Sequence, residues 1–309
     1  MMRDLFSRLF PFSPLTDYQY IGFGSKYFVD FTLLHRHLHI DKMVSIEADA
    51  TNQARYHFNR PYECIKMAFG KASNVLPTLD FSRRSIVWLD YDGRFEKFML
   101  DDVALLAEKV ISGSVICLSY NTLPYELPIL RDEYKNLHEG YYRQKFSELT
   151  GTESIPSDFD ERGWSRAAKF SGFLRQAVIT RLERVIALRN SQFSQDEDGK
   201  RLSAKQIMFF DYADGQPMST VGFVLVSKDE ESRLVDGRFD DFHFYRDGSE
   251  SYEIRTSNLT IKEMRYLTEH MPQSPGALAL PPGIFASSDV QAFCENYKYF
   301  PAFTEIEVY

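Results

Sequence analysis

The chain has 309 residues, 44% hydrophobic and 26% charged, which is enough for a full buried core in a globular protein. Its net charge of -8 argues against a general nucleic-acid coat. Three widely spaced cysteines with no Cys-x-x-Cys argue against a disulfide framework and a structural zinc site, and favour a reducing compartment. No apolar run approaches the roughly 18 residues of a membrane span, and residues 1–12 lack a signal-peptide pattern. We therefore expect a cytoplasmic protein without membrane contact.

The first informative stretch runs from Tyr20 to Ser25 and predicts a short strand, a Gly-x-Gly turn and then a helix. Such a turn presents backbone N–H groups to a ligand, because glycine lacks a Cβ. Gly22, Gly24 and Ser25 are therefore candidate ligand-binding residues, with a plain tight turn as the alternative. The predicted helix has one apolar face, formed by Tyr27, Phe31, Leu34 and Leu38.

The next predicted strand, 43–47, ends in an acidic residue, Glu47. Glu47 follows Gly22 by 25 positions. This is close to the spacing of about 20 between a dinucleotide-type glycine turn and the acid that binds a ribose. A carboxylate suits that role, since it accepts two hydrogen bonds from a diol.

The clearest strand, 85–89, leads directly into Asp90-Tyr91-Asp92-Gly93. Its continuous apolar run is typical of a strand buried on both faces. Open α/β sheets bind ligands at the carboxyl ends of their strands, so Asp90 and Asp92 are candidate catalytic residues. Either carboxylate could act as a general base or orient an acceptor hydroxyl. The alternatives are a helix cap, and a metal site for which two ligands are too few.

The pattern over the first 120 residues alternates strand and helix, with further strands predicted at 62–68 and 114–119. That alternation predicts an α/β fold with a doubly wound, mostly parallel sheet. A hairpin at 206–212 and 220–226 adds one antiparallel strand, making seven. We expect this domain to span 1–227, with a proline-broken helical insertion at about 122–163 and a long helix at 166–188.

Residues 228–309 predict a small α+β appendage packed on the core. A second hairpin is expected at 242–246 and 251–255, around Asp247-Gly248. A capping box, Thr260-Ile261-Lys262-Glu263, predicts a helix to about His270. The end of the chain predicts a helix and then, after Pro301, an edge strand.

Three other features favour structural roles over functional ones. His35 and His39 would share a helix face, but no carboxylate is placed to complete a ligand set, so we predict no metal. Asp211 and Tyr212 end a strand that could reach the same sheet edge as Asp90, so they are candidate acceptor-site residues with a structural role as the alternative. A basic face on the long helix predicts a solvated or inter-domain surface rather than a nucleic-acid groove; it comprises Arg166, Lys169, Arg181 and Arg184.

Three motifs, Tyr-Ile-Gly-Phe-Gly-Ser-Lys-Tyr-Phe-Val-Asp-Phe, Ser-Ile-Glu-Ala-Asp and Val-Trp-Leu-Asp-Tyr-Asp-Gly, resemble a family of bacterial proteins labelled O-methyltransferases. The resemblance implies the class I (Rossmann-like) methyltransferase fold and S-adenosylmethionine as cofactor. It places Gly22 and Gly24 at the methionine end of that cofactor, Glu47 at its ribose, and Asp90 and Asp92 beside the methyl group. The segment that begins Phe69-Gly70 would lie near the adenine. The implied activity is O- or N-methyl transfer to an unknown acceptor.

Two departures from the family of commoner methyltransferases leave an alternative open. Lys26 stands where they have a third small residue, and no acid or amide precedes Asn74 to hold the adenine amine. A catalytically silent nucleotide-binding or sensor subunit of a larger assembly is the alternative. An aromatic C-terminal tail would then contact a protein partner or a second copy; it contains Phe293, Tyr297, Tyr299, Phe300 and Phe303.

Overall fold

The computed structural model describes residues 1–300, and its central feature is one eight-stranded sheet in the order β3-β2-β1-β4-β5-β7-β6-β8. The strands are β1 (Gln19–Gly22), β2 (Met43–Glu47), β3 (Ile65–Phe69), β4 (Ser85–Arg94), β5 (Ser114–Asn121), β6 (Leu202–Asp214), β7 (Gln216–Ser227) and β8 (Tyr252–Glu253). The α/β class and the mostly parallel sheet are therefore confirmed. The predicted number of seven strands is wrong, because the two-residue β8, too short to show a periodic pattern, extends the edge beside β6.

The first five strands pair in parallel, and the hairpin supplies the antiparallel part. Ile21 of β1 lies between Val44 of β2 and Val87 of β4. β7 pairs antiparallel with both β5 and β6, as the sequence predicted for one reversed strand. Every residue of β5 is buried. Since successive side chains of a strand point to opposite faces, both faces of the sheet are covered at β5.

Eleven α-helices occur within residues 1–300. They are α1 (Met2–Ser7), α2 (Val29–Leu38), α3 (Gln53–Asn59), α4 (Ala72–Val75), α5 (Lys97–Lys109), α6 (Leu127–Glu133), α7 (Tyr141–Thr150), α8 (Ala167–Asn190), α9 (Glu231–Asp236), α10 (Ile261–Glu269) and α11 (Ser287–Asn296). The basic face of α8 is largely paired within the protein: the Arg181 guanidinium donates to Asp101 of α5 at 2.7 Å, and Lys169 lies 4.0 Å above the Trp164 ring.

The glycine-turn helix begins later than the sequence predicted. α2 starts at Val29, after Phe28 adopts a left-handed conformation with φ 51°. Phe31 and Leu34 are buried as expected, whereas Tyr27 precedes the helix and is 70% exposed. The turn is thus longer than a Gly-x-Gly pattern suggests, because the left-handed Ser25 and Phe28 delay the first helical turn.

β4 is longer than predicted and contains both candidate aspartates. Asp90 pairs with Ser119 and Arg94 with Asn121, so β4 has two more residues than β5 between these pairs. Asp90 and Asp92 therefore lie in an irregular strand extension rather than in a turn. The extension forms because β5 itself continues to Asn121 and offers backbone partners.

The described chain divides into two compact units, one of Met2–Tyr252 and one that begins at Glu253. The sequence placed the boundary at 227, at the end of β7. The predicted hairpin at 242–246 and 251–255 is wrong, since residues 242–246 form no strand and only β8 appears in the second segment. α10 has the predicted capping box, with the Thr260 hydroxyl accepting from the Glu263 N–H. Phe303 and the predicted strand after Pro301 lie outside the described residues.

Gly222 of β7 is closely packed by its neighbours in the sheet and pairs with Cys117 of β5. A Cβ there would lie 2.8 Å from Met208 Cγ and 2.9 Å from Cys117 Sγ. We expect Gly222→Ala to lower the free energy of unfolding by about 1–3 kcal/mol, because overpacking forces side chains from their rotamers. Urea denaturation measures this loss. Cys117→Ala in the same chain should recover part of it, and a Gly222→Ala protein as stable as wild type would contradict the packing.

Candidate functional site

A cavity of about 1200 Å³ opens at the carboxyl ends of β1, β2 and β4. Four segments that follow or end the parallel strands line it: 23–25 after β1, 47–48 at the end of β2, 70–73 after β3 and 88–92 of β4. The parallel pairing brings these strand ends to one edge of the sheet. This is the location where open α/β sheets bind ligands.

Side chains of the protein itself fill the space beside both glycines of the turn. A Cβ at Gly22 would lie 2.5 Å from the Tyr20 hydroxyl, and a Cβ at Gly24 would lie 2.6 Å from both Phe28 Cδ1 and Ser45 Oγ. The Gly24 N–H donates to Ser45 Oγ at 3.1 Å. Gly24 therefore lines the cavity but its amide is already bonded inside the protein, and Gly22 lies outside the cavity lining.

Glu47 occupies the end of β2, as its position in the sequence predicted, and it lines the cavity. Its carboxylate accepts the Asp49 N–H at 3.1 Å, which fixes one of its oxygens. Tyr56 of α3 also lines the cavity. Partial burial raises the pKa of the Tyr56 phenol, and the nearby Glu47 carboxylate raises it further. The two side chains thus form a polar corner at one end of the cavity.

Asp90 and Asp92 both line the cavity, Asp90 half-buried and Asp92 exposed. Tyr91 between them donates its hydroxyl to Asp102 of α5 at 2.5 Å. Burial raises the pKa of the Asp102 carboxyl and of the Tyr91 phenol. Both residues of the Tyr91–Asp102 pair line the cavity with the two predicted aspartates. The sequence did not predict this pair, because the residues are eleven positions apart on different elements.

Asp30 is a further acid in the cavity that sequence reasoning missed. It lies in the first turn of α2 and accepts a short hydrogen bond from the buried Tyr20 hydroxyl. Burial raises the pKa of the Asp30 carboxyl to about 6, against the lowering effect of the Tyr20 hydrogen bond, and the charge of Asp90 raises it further. The only signal in the sequence was an acidic residue near the start of a helix, where a negative charge usually serves to stabilise the helix dipole.

The cavity is acidic and aromatic. It has five carboxylate residues and two basic ones, Arg3 and Lys71. Ring side chains supply much of the remaining wall, among them Phe23, Trp88 and Tyr91, and Phe23 and Tyr91 meet edge to face with centroids 5.0 Å apart. Carboxylates and ring faces both attract a cation, so this lining favours a planar ligand that carries positive charge.

Of the sequence-predicted residues, the fold brings six to the cavity: Gly24, Ser25, Glu47, Gly70, Asp90 and Asp92. Phe69 lies outside the lining, where its ring packs against Tyr56 and His57 of α3. Asp211 is also outside the lining. Its carboxylate accepts hydrogen bonds from Ser171, Ser219 and Ser251, which indicates a structural role.

Comparisons with known proteins give one match over the whole sequence. A family model described as "Putative O-methyltransferase" matches residues 1–308. No curated relative matches the chain. No helix among residues 1–300 has the length and apolar character needed to cross a bilayer.

Several solved structures are distantly similar to the chain. The O-methyltransferase TomG from Streptomyces achromogenes, involved in tomaymycin synthesis and crystallised with S-adenosylmethionine, is 13% identical over 73% of this chain and 78% of its own, with a TM-score of 0.37. An O-methyltransferase from Bacillus cereus in complex with S-adenosylhomocysteine is 13% identical over 72% and 80%, with a TM-score of 0.34. Spermidine synthase from Thermotoga maritima is 10% identical over 82% and 67%, with a TM-score of 0.38. Likenesses this weak support no inference about function.

The Tyr20–Asp30 hydrogen bond makes a testable electrostatic prediction. Tyr20→Phe removes a donor that stabilises the ionised carboxylate, so the pKa of Asp30 should rise above about 6. Carboxyl-carbon NMR titration measures this pKa. Tyr18→Phe is the matched control, since the Tyr18 hydroxyl donates instead to the Gly113 carbonyl at 3.1 Å. An Asp30 pKa that falls or stays unchanged in Tyr20→Phe would contradict the assignment.

Proposed function

The chain belongs to the "Putative O-methyltransferase" family, and on that basis we propose that it is an S-adenosylmethionine-dependent methyltransferase that acts on a hydroxyl-bearing acceptor. The observation that carries the proposal is the acidic, aromatic cavity at the carboxyl ends of β1, β2 and β4. Ligand sites commonly measure about 300–1000 Å³, so a cavity of about 1200 Å³ has room for a cofactor and an acceptor together.

The residues of the cavity fit a nucleoside with a positively charged sulfur. Glu47, at the end of β2, is the proposed acceptor of the ribose hydroxyls, with Tyr56 beside it. Gly70 and Lys71, after β3, border the proposed adenine position. Ser25 is the proposed polar contact at the methionine end, because the Gly24 amide is bonded to Ser45. Gly22 and Phe69 support this wall from behind, by packing against Tyr20 and against α3.

When bound, S-adenosylmethionine supplies a methyl group already activated by its sulfonium. The chain then has to align the acceptor, exclude water and remove the hydroxyl proton. Asp90 and Asp92 are the proposed orienting groups for the acceptor. Asp30 is the proposed proton acceptor, because a general base works best when its pKa lies near the working pH, and burial brings the pKa of Asp30 to about 6.

The alternative of a catalytically silent subunit receives no support from the family match. Its grounds were Lys26 in the glycine turn, the lack of an acid or amide before Asn74, and the aromatic tail. Of these, Lys26 lies outside the cavity lining, with its ammonium 5.0 Å from the centre of the Tyr27 ring. Release of S-adenosylhomocysteine in the presence of hydroxyl-bearing acceptors separates the two functions, since a silent protein binds the cofactor without turnover.

The proposed contact between Glu47 and the ribose makes cofactor affinity depend on the charge of this residue. Glu47→Gln keeps the shape of the side chain but removes its charge, so affinity for S-adenosylmethionine should fall by about 10- to 100-fold, the value of a hydrogen bond to a charged group. Isothermal titration calorimetry measures it. Glu63→Gln is the matched control, because the Glu63 side chain is 95% exposed and lies outside the cavity lining. Equal affinities of Glu47→Gln and wild type would remove Glu47 from the site.

The proposed role of Asp30 as the acceptor of the hydroxyl proton makes the reaction rate depend on pH. A base must be ionised to act, so kcat/KM of wild type should rise with pH through about 6 and then level off. Asp30→Asn should lose that rise and about 100-fold or more of kcat. The measurement is S-adenosylhomocysteine release across pH with a set of hydroxyl-bearing acceptors. Asp132→Asn, a change at a 79% exposed carboxylate of α6, is the control. A variant Asp30→Asn that retains the wild-type pH profile would exclude Asp30 as the base.

A further inference from the structure

We propose that His35, Asp41 and Cys64 form a binding site for one zinc ion, separate from the cavity. His35 lies in the last turn of α2, Asp41 in the connection from α2 to β2, and Cys64 directly before β3. Asp41 and Cys64 thus precede the starts of their strands, whereas the cavity lies at the strand ends. None of the three residues lines the cavity.

The three ligand atoms converge with the separations of a metal site. His35 Nδ1 lies 3.1 Å from Asp41 Oδ1 and 3.8 Å from Cys64 Sγ, and all the ligand atoms lie within 4.8 Å of one another. Zinc bonds of about 2.0–2.3 Å at tetrahedral angles require nitrogen–oxygen and nitrogen–sulfur separations of about 3.3–3.6 Å. The two separations from His35 Nδ1 differ from these by a few tenths of an ångström. The Asp41–Cys64 separation, up to 4.8 Å, has to close by about 1 Å, which rotation of the 70% exposed Asp41 side chain can supply.

The chemistry of the ligand set also suits zinc. A thiolate and a carboxylate carry two negative charges, which a divalent ion neutralises, and a neutral imidazole adds none. On binding, the Cys64 thiol releases its proton to solvent and His35 carries its own proton on Nε2. The Asp41 side chain is 70% exposed, which leaves room for a water molecule as the fourth ligand. The nearby Arg60 guanidinium is paired with Glu63 at 2.8 Å.

Cysteine, histidine and aspartate can also form a catalytic triad, in which the histidine relays a proton from the cysteine nucleophile, but the geometry here excludes such a relay. In a relay, one imidazole nitrogen faces the nucleophile and the other faces the carboxylate. Here the same nitrogen, Nδ1, faces both Cys64 Sγ and Asp41 Oδ1. Hydrogen bonding alone explains the approach of Asp41 and of the Ile40 carbonyl at 3.2 Å to that nitrogen. The Cys64 thiol is also at hydrogen-bond distance for sulfur from that nitrogen, so the metal-free site is held by hydrogen bonds, and metal binding would replace the Nδ1 proton with an ion shared by all three side chains.

The site would join three parts of the chain at one side of the sheet. β3 is the edge strand of the sheet and lies next to β2. Cys64 immediately precedes Ile65, the first residue of β3. A zinc ion would tie this strand to the end of α2, and the ring of Tyr62, 4.3 Å from that of His35, already holds the imidazole in place. Ligands that bind only the folded state raise its stability, so zinc should raise the melting temperature.

The experiment uses cobalt as a spectroscopic probe and zinc as its competitor, with the full chain stripped of metal by a chelator. We expect one cobalt per chain, visible bands of tetrahedral intensity and a thiolate-to-cobalt charge-transfer band, all abolished by one equivalent of zinc. Cys64→Ser should lose the charge-transfer band, and Cys294→Ser, the matched cysteine control, should retain it. Asp41→Asn should weaken metal binding by more than about 100-fold. The loss of a residue that only hydrogen-bonds a metal ligand costs about 10- to 100-fold, and the loss of a ligand should cost more.

Circular dichroism verifies that each variant is folded, and the exposed Asp41→Asn keeps the test valid if Cys64→Ser does not fold. Three outcomes would overturn the proposal: no stoichiometric cobalt or zinc bound by wild type, a charge-transfer band that survives in Cys64→Ser, or Asp41→Asn binding as tightly as wild type. A melting temperature that rises with zinc in wild type and in Cys294→Ser, but not in Asp41→Asn, supports it.

Discussion

The parallel pairing of β1 with β2 and β4 is the constraint on which the candidate site depends. Pairing in register places Gly22, Ser45 and Trp88 side by side. The segments that follow must therefore leave the sheet at one edge, where they enclose the cavity. Each strand contributes one kind of group: a turn after β1, an acid at the end of β2 and a pair of acids in β4. In the irregular extension of β4 the backbone pairs with β5 at Asp90 and again at Arg94, which fixes both ends of the segment that carries Asp92.

Elements that depend on local pattern were predictable, and contacts between distant elements were not. The strand around Val87 has a continuous apolar run, so its burial could be read directly from the sequence. The sequence also predicted the capped helix α10, because its capping box is local. The eighth strand, by contrast, has two residues and forms only because β6 offers it an edge. The expected strand at 242–246 failed for a related reason, since the Gln206 side chain bonds the carbonyls of Arg246 and Gly248 and holds that segment as a loop.

The same distinction applies to the site. Glu47 and Asp90 could be found because they follow apolar strands at informative spacing. Asp30 and Asp102 could not, since the burial that raises the pKa of each carboxyl and the tyrosine bonded to it, Tyr20 or Tyr91, come from other elements of the fold. The prediction that His35 binds no metal differs from the zinc proposal for a similar reason. No carboxylate was evident near the helix face of His35 and His39, whereas the chain reversal after α2 brings Asp41 to 3.1 Å from the His35 ring.

The packing of Tyr20 beneath Gly22 has an evolutionary consequence. Residues 20 and 22 point to the same face of β1, and the tyrosine hydroxyl occupies the space that a Cβ at position 22 would need. Tyr20 can therefore keep its position only if residue 22 has no side chain. The two positions should covary among relatives: where position 20 carries a smaller residue, position 22 is free to gain a side chain, and the carboxyl group at position 30 loses its buried donor in the same step.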